Sequence, residues 1–433
     1  MTDTTSSAPT PTISGAASEA EVGSGTGPTR WAERPAHRLW VQERFARMIE
    51  FVGPSVLPGG GFAYLGGDGS PMPGREPSLL LTARMTHVAG LASVLGIPGS
   101  ERLLAHGLAS LDGAFRDEAE GGWFGTLERA GRKTAYEHVH VVLAAASAVT
   151  AQAQGARAVG DPQALAREAT RIVEEKFWRE DEGALCESWS ATWDDPEEYR
   201  GANANMHAVE AFLAIGDALD DDVWHQRALR ICERIVEKHA RGRDWLLPEH
   251  YDAQWQELPD YNVDNPNDPF RPYGATYGHL LEWARLLCGL HASPRVETPE
   301  WVLSSAEALA RKALSAWGVD GREGLVYTVD WESKPVSDVR LHWPICEGIQ
   351  ATALLGGLTG EAEWEQWYRR LWDHAAAHFV DTSGMWINEL DADMNEGFVV
   401  WPGRPDVYHA TGAYMAPLLP AWPFLTVAAA KLT

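Results

Sequence analysis

AREATRIVEEKFW (166–178), EDEGALCESWSATWDDPEEYRGAN (180–203) and MHAVEAFLAIGDAL (206–219) follow one another in the middle of the chain. The first is an amphipathic, charged helix and the second a loop rich in Gly and Trp. The third is a helix of small and apolar residues with a polar start. A helix that is apolar all round has to be surrounded by protein, whereas its charged neighbour faces water on one side. The same alternation returns as WHQRALRICERIVEKHA (224–240), a long loop ending FRPYGATYG, and HLLEWARLLCGL (279–290).

Four further units fit the pattern, a repeat of roughly 50 to 70 residues. They pair 36–52 with 84–96, 101–117 with 138–152, 301–317 with 342–358, and 364–379 with 407–420. Six buried helices inside six amphipathic ones predict an all-α fold, an (α/α)6 barrel. Strand signals are confined to loops, at GLVYTVDW (324–331) and GMWINELD (384–391), and predict short β-hairpins at the barrel mouth. Residues 31–433 are expected to form one catalytic domain. Residues 1–30, rich in Ser, Thr, Ala, Gly and Pro, are expected to be a disordered tail without the basic start and apolar run of a secretory signal.

Composition narrows the function. A formal charge of −25 over 433 residues opposes binding to nucleic acid. No apolar run approaches the roughly 18 residues of a membrane span. Cys186, Cys232, Cys288 and Cys346 are 46, 56 and 58 residues apart with no CxxC, which predicts buried thiols in a cytoplasmic protein. Twenty tryptophans, many beside Gly, Asp or Pro in loops, suit the C–H faces of a sugar. Oligomeric state is not readable, and a homo-oligomer stays open.

The polar residues of the buried helices cluster where each helix begins. In order they are Arg84 and His87; Tyr136, Glu137, His138 and His140; Asn203, Asn205, His207 and Glu210; His279 and Glu282; His342, Trp343 and Glu347; and Tyr408 and His409. The steps from His138 through His207, His279 and Trp343 to His409 are 69, 72, 64 and 66 residues. Closure of the ring brings these groups to one end. The helix N-termini there carry partial positive charge, which disfavours imidazolium and leaves neutral histidines to act as bases. His207 with Glu210 and His279 with Glu282 repeat an HxxE spacing, so each Glu is expected to orient the His one turn before it. Di-metal bundle sites use the opposite order, Glu-x-x-His, so no metal is expected. A glycosidase needs two carboxyls flanking the scissile bond, with candidates in Glu137, Glu210, Glu282, Glu347 and Glu389. Histidines hold the prominent positions, which favours proton transfer.

The stretches NANMHAVEAFLA (203–214), FRPYGATYGHLLEWARLL (270–287), HWPICEG (342–348) and WPGRPDVYHATGAYMAP (401–417) resemble the N-acylglucosamine 2-epimerase superfamily. The closest branch is that of aldose–ketose isomerases acting on mannose or sulfoquinovose, and the similarity spans nearly all of 35–425. The resemblance implies an (α/α)6 barrel, no metal or redox cofactor, a free monosaccharide as partner, and isomerisation through a cis-enediol. Carried over by position, His279 and His409 are the acid/base pair, His207 serves sugar binding and ring opening, and Arg84 is a clamp. Asn203, Glu282, Trp343 and Glu347 form the pocket wall, with Glu210, His138 and Tyr136 added to the substrate-binding set from their places at the helix starts. D-Mannose and D-fructose are the leading pair. A 2-epimerase acting on N-acylglucosamine or cellobiose, an (α/α)6 glycoside hydrolase and a non-catalytic sugar-binding homologue remain as alternatives.

Overall fold

The computed structural model describes residues 1, 29–157, 160–404 and 407–432. Most of the N-terminal tail, residues 2–28, lies outside them. Among the described residues twelve helices make the barrel. The outer set is α1 (Pro35–Phe51), α3 (Ser100–Ala109), α5 (Pro162–Ile172), α7 (Asp222–Cys232), α9 (Trp301–Ser315) and α11 (Ala362–His374). The inner set is α2 (Leu79–Val94), α4 (Ala135–Ala153), α6 (Ala202–Leu219), α8 (Tyr277–Ala292), α10 (His342–Thr359) and α12 (Tyr408–Met415). Each inner helix packs on the next, and α12 packs on α2 to complete the circle. A thirteenth helix, α13 (Leu425–Ala430), packs against α2, α4 and α6, where Phe424 N donates to Asp217 near the end of α6 and so floors the barrel. Among the described residues no helix is long and apolar enough to cross a membrane.

The helices fall where the repeat places them, but their pairing differs from the sequence expectation. Each inner helix packs closely on the outer helix that follows it, giving α2 with α3, α4 with α5, α6 with α7, α8 with α9 and α10 with α11. The reason is connection length. Only short turns separate an inner helix from the next outer one, as at Asp220 and Asp221 between α6 and α7, and short connections make antiparallel neighbours. The outer-to-inner links are the long loops that build the mouth. Helix α1 is therefore left to pack on α12, at the opposite end of the sequence.

Short hairpins stand in the loops as expected, and beside them a ring of short β-pairings runs around the mouth. Lys133–Thr134 pairs with Ser188–Trp189, Tyr199–Gly201 with His250–Asp252, and Arg340–Leu341 with Glu389–Leu390. Single bridges join Ser78 to Thr126, Ala275 to Val329 and Leu65 to Arg404. Each link ties the start of one inner helix to the loop leading to the next, and the last joins the first loop to the final one. In the GMWINELD segment Trp386 bridges Val380 and Leu390 bridges Glu396 locally, while Glu389–Leu390 also pairs with the strand before α10, and Thr328–Val329 forms a local hairpin with Pro335–Ser337. The backbone N–H of Leu79, Ala135, Ala202 and His342 donates to the carbonyl of Gly125, Glu187, Glu249 and Asn388 at 2.8–3.0 Å. These bonds satisfy donors that a helix start would otherwise leave unpaired. Thr134 caps α4, accepting from Glu137 N at 3.2 Å while its hydroxyl donates to Glu137 Oε2 at 2.8 Å.

Candidate active site

Helical spacing sorts the inward-facing groups into layers. Second positions of the inner helices supply Tyr136, Asn203, Trp343 and His409, and sixth positions supply Arg84, His140, His207, Glu282 and Glu347. Ninth positions supply His87, Glu210, Arg285 and Gln350. Positions two, six and nine share one face of a helix, so the layers stack from the mouth downwards. A pocket at the mouth is lined by Arg84, Tyr136, Asn203, His207, His279, Glu282, Trp343 and His409, together with Pro269, Tyr327, His342, Asn388 and Trp401. His207, His279 and His409 therefore meet in one cavity, as the repeat predicts.

His138 does not join them. It is the fourth residue of α4, two places from Tyr136 and so nearly opposite the inner face. Its Nδ1 bonds the Thr134 carbonyl at 2.7 Å and its Nε2 accepts from Trp123 N at 3.1 Å, which fixes a neutral tautomer between α4 and the preceding loop. Burial pushes its pKa down to about 4. His138 is a structural tie and is removed from the substrate-binding set.

The two candidate acid/base histidines each have a buried carboxylate of their own. His279 Nδ1 lies 2.8 and 2.9 Å from the two Glu249 oxygens, and His409 Nδ1 lies 2.8 Å from Glu347 Oε1. A carboxylate on Nδ1 holds the proton there, leaves Nε2 to exchange protons with substrate, and stabilises the imidazolium when it forms. The HxxE expectation for His279 is corrected here: its partner is Glu249, brought in by the Tyr199–Gly201 and His250–Asp252 pairing, while Glu282 points across the barrel. Trp343 lies beside both imidazoles, its ring centre 5.0 Å from that of His279 and 5.7 Å from that of His409.

His207 is set differently. Its Nδ1 is 3.6 Å from Glu210 and 3.7 Å from Glu282, beyond hydrogen-bond reach, and its ring meets Tyr136 edge-on at 5.0 Å. Burial, then Arg84, His409, His279 and Arg285, hold it well below the usual imidazole range, so it stays neutral. Arg84 is fixed by Nε donating to His140 Nε2 at 3.1 Å and Nη2 donating to the Tyr136 hydroxyl at 3.0 Å, with its guanidinium 4.5 Å over the Tyr408 ring. His140 in turn bonds the Tyr136 carbonyl through Nδ1 at 2.7 Å, and burial and Arg84 keep it neutral. Asn203 donates Nδ2 to the Phe270 carbonyl at 3.2 Å, and its buried Oδ1 has no partner among the described residues.

Beneath lies a charge cluster that the sequence reading did not foresee. Arg285 reaches Glu347 at 2.6 Å, Glu210 at 3.1 Å and Glu282 at 3.4 Å, and the Tyr408 hydroxyl donates to Glu210. Burial and the neighbouring Glu347 push Glu282 well above the usual carboxylate range. Two carboxyl and histidine triplets here, His207 with Glu210 and Glu282, and Glu282 with Glu347 and His409, have metal-like spacing. The cation that answers their oxygens is the Arg285 guanidinium. Beside the pocket a second chamber of about 360 Å³ shares Tyr136, Asn203 and Trp401 with it. Its walls include Glu137 and Glu187, raised by burial to about 6 and about 7, and Arg271.

Fold and pocket together define the class, an (α/α)6 barrel with its polar site at the N-terminal ends of the inner helices. The chain belongs to the N-acylglucosamine 2-epimerase family, whose pattern matches residues 60–413. It is 47% identical over 412 residues to a D-mannose isomerase of Thermobifida fusca, covering 93% of this chain and 100% of that one. A D-mannose isomerase of Pseudomonas cannabina pv. alisalensis is 43% identical over 410 residues, covering 93% and 97%. Among solved structures, a D-mannose isomerase superposes with a TM-score of 0.79 at 25% identity, covering 89% of this chain and 99% of that one. The cellobiose 2-epimerase of Spirochaeta thermophila shares the fold, with a TM-score of 0.73 at 19% identity, covering 89% and 97%.

Proposed function

We propose that this chain is an aldose–ketose isomerase that interconverts free D-mannose and D-fructose through a cis-enediol. The observation that carries the reading is the pair of imidazoles, His279 on Glu249 and His409 on Glu347, flanked by one tryptophan in one pocket. The two D-mannose isomerases that match along nearly the whole chain support the choice of sugar.

The pyranose opens with the help of neutral His207. His279 enters as the imidazolium on Glu249 and His409 enters neutral; His409 Nε2 takes the proton from C2 as His279 gives its Nε2 proton to O1, and the C2 electron pair forms the C1=C2 bond of the enediol. His409 then returns its proton to C1 while O2 gives one to His279, which leaves a ketone at C2 and both imidazoles as they began. Arg84 stabilises the negative charge that gathers on O1 and O2 between these steps. The four cysteines are buried, which suits a reducing cytoplasm.

Incubation with free aldoses in deuterated water tests this, following product and label position by NMR. Fructose from mannose, with any solvent label at C1, is the expected result. Glucose labelled at C2 would mean return of the proton to C2 and a 2-epimerase, and release of reducing ends from a glycan would mean a hydrolase.

A further inference from the structure

On the outer ring, three residues that the pocket does not use come together. His374 closes α11, and His378 follows one turn later in the helical segment Ala375–Phe379. Glu323 comes from the loop between α9 and α10. One donor atom from each lies within 4.8 Å of the other two, and His374 Nδ1 is 3.8 Å from Glu323 Oε1. The His374 side chain is fully buried, yet neither of its ring nitrogens has a hydrogen-bond partner among the described residues. Buried polar atoms are nearly always satisfied, so an imidazole unmet on both sides asks for a ligand.

We propose that Glu323, His374 and His378 bind a divalent transition-metal ion of the zinc type, with solvent completing the coordination. Two imidazoles and one carboxylate form a borderline-soft donor set that selects zinc over magnesium or calcium. Two histidines four residues apart present their rings on one helix face. Tetrahedral bonds of about 2.0–2.1 Å place neighbouring donors about 3.4 Å apart, so the 3.8 Å between His374 Nδ1 and Glu323 Oε1, and the remaining separations within 4.8 Å, have to close on binding. The loop is already fixed for the purpose. Arg340 donates to the Glu323 carbonyl at 2.9 Å and to the Asp320 carboxylate at 2.8 and 2.9 Å, which also answers the nearest guanidinium charge. Gly324, at φ +97°, lets the backbone pass beside the ring, where a Cβ would stand 3.2 Å from His374 Nε2. The ion would fasten the end of α11 to the loop that leads to α10, behind the pocket and without touching it.

The inference is independent of the proposed reaction. Untagged protein, stripped with a chelator and desalted, is titrated with Zn²⁺ against a chromophoric chelator and heated with and without the ion. One ion per chain with a raised melting temperature is expected. His378→Gln and Glu323→Gln, at positions that are partly exposed, should each weaken binding at least tenfold and abolish the thermal gain, with sugar turnover unchanged. Absence of uptake by the unaltered chain overturns the site. So does uptake that survives both substitutions, or uptake that mannose displaces, since the ion would then sit among the pocket carboxylates.

Discussion

Replacing Glu249 by Gln tests whether His279 depends on the carboxylate that the fold brings to it. The Glu249 oxygens lie 2.8 and 2.9 Å from Nδ1, and the residue is 3% exposed, so little water screens the pair. A charge about 4 Å from the imidazolium centre contributes about 4 kcal/mol at an effective dielectric of about 20. The amide oxygen of Gln can still accept from Nδ1 and recovers part of this, leaving about 3 kcal/mol. That is about a hundredfold in kcat. Should the amide turn its NH2 to the ring, the proton moves to Nε2 and the loss grows. Glu249 does not line the pocket, so KM should change less than about threefold while kcat falls, a split measured by steady-state mannose kinetics. Glu282→Gln is the control, because burial and Glu347 raise Glu282 well above the usual carboxylate range and an amide costs least at such a carboxyl; less than a tenfold loss is expected. A Glu249→Gln enzyme keeping more than a tenth of its kcat, or one less impaired than Glu282→Gln, refutes the assignment.

His279→Ala and His409→Ala should each abolish turnover while circular dichroism stays unchanged; more than about a tenth of activity in either removes that residue from acid/base duty. His138→Ala should cost about 3 kcal/mol of stability in urea denaturation, from a buried cavity and the unpaired Trp123 N–H, with mannose KM unchanged. Glu187 is raised by burial to about 7, above its unfolded value near 4.3, so the folded chain holds this proton between those values and loses stability as pH rises through the interval. Glu187→Gln should therefore gain on the unaltered protein by up to about 3 kcal/mol between pH 4.5 and 8; a flat difference across that range would contradict the burial argument.

The helices, their number and the convergence of His207, His279 and His409 were legible because hydrophobic periodicity and a regular repeat survive in a single chain. His138 was misplaced by a register argument applied between repeats; the spacing within α4, which sets Tyr136 and His140 on one face, would have turned it outward. Glu249 was not legible. It lies in a long loop with no periodicity, and only the pairing of Tyr199–Gly201 with His250–Asp252 brings it under His279. Arg285 carried a signal that was passed over: HxxExxR continues the face of His279 and Glu282 by one more turn, and an arginine on a buried helix has to meet carboxylates. The direction of helix pairing was also written in the loop lengths.

Because α1 settles on α12 and Arg404 fastens to Leu65, the circle is a string whose two ends meet at a clasp, held by packing and hydrogen bonds rather than by chain connectivity. His409 hangs on the clasp itself, while His279 sits well inside the covalent run. Heat that springs the clasp would carry one imidazole away from the other with five helical pairs still standing, so activity should disappear at a lower temperature than helicity.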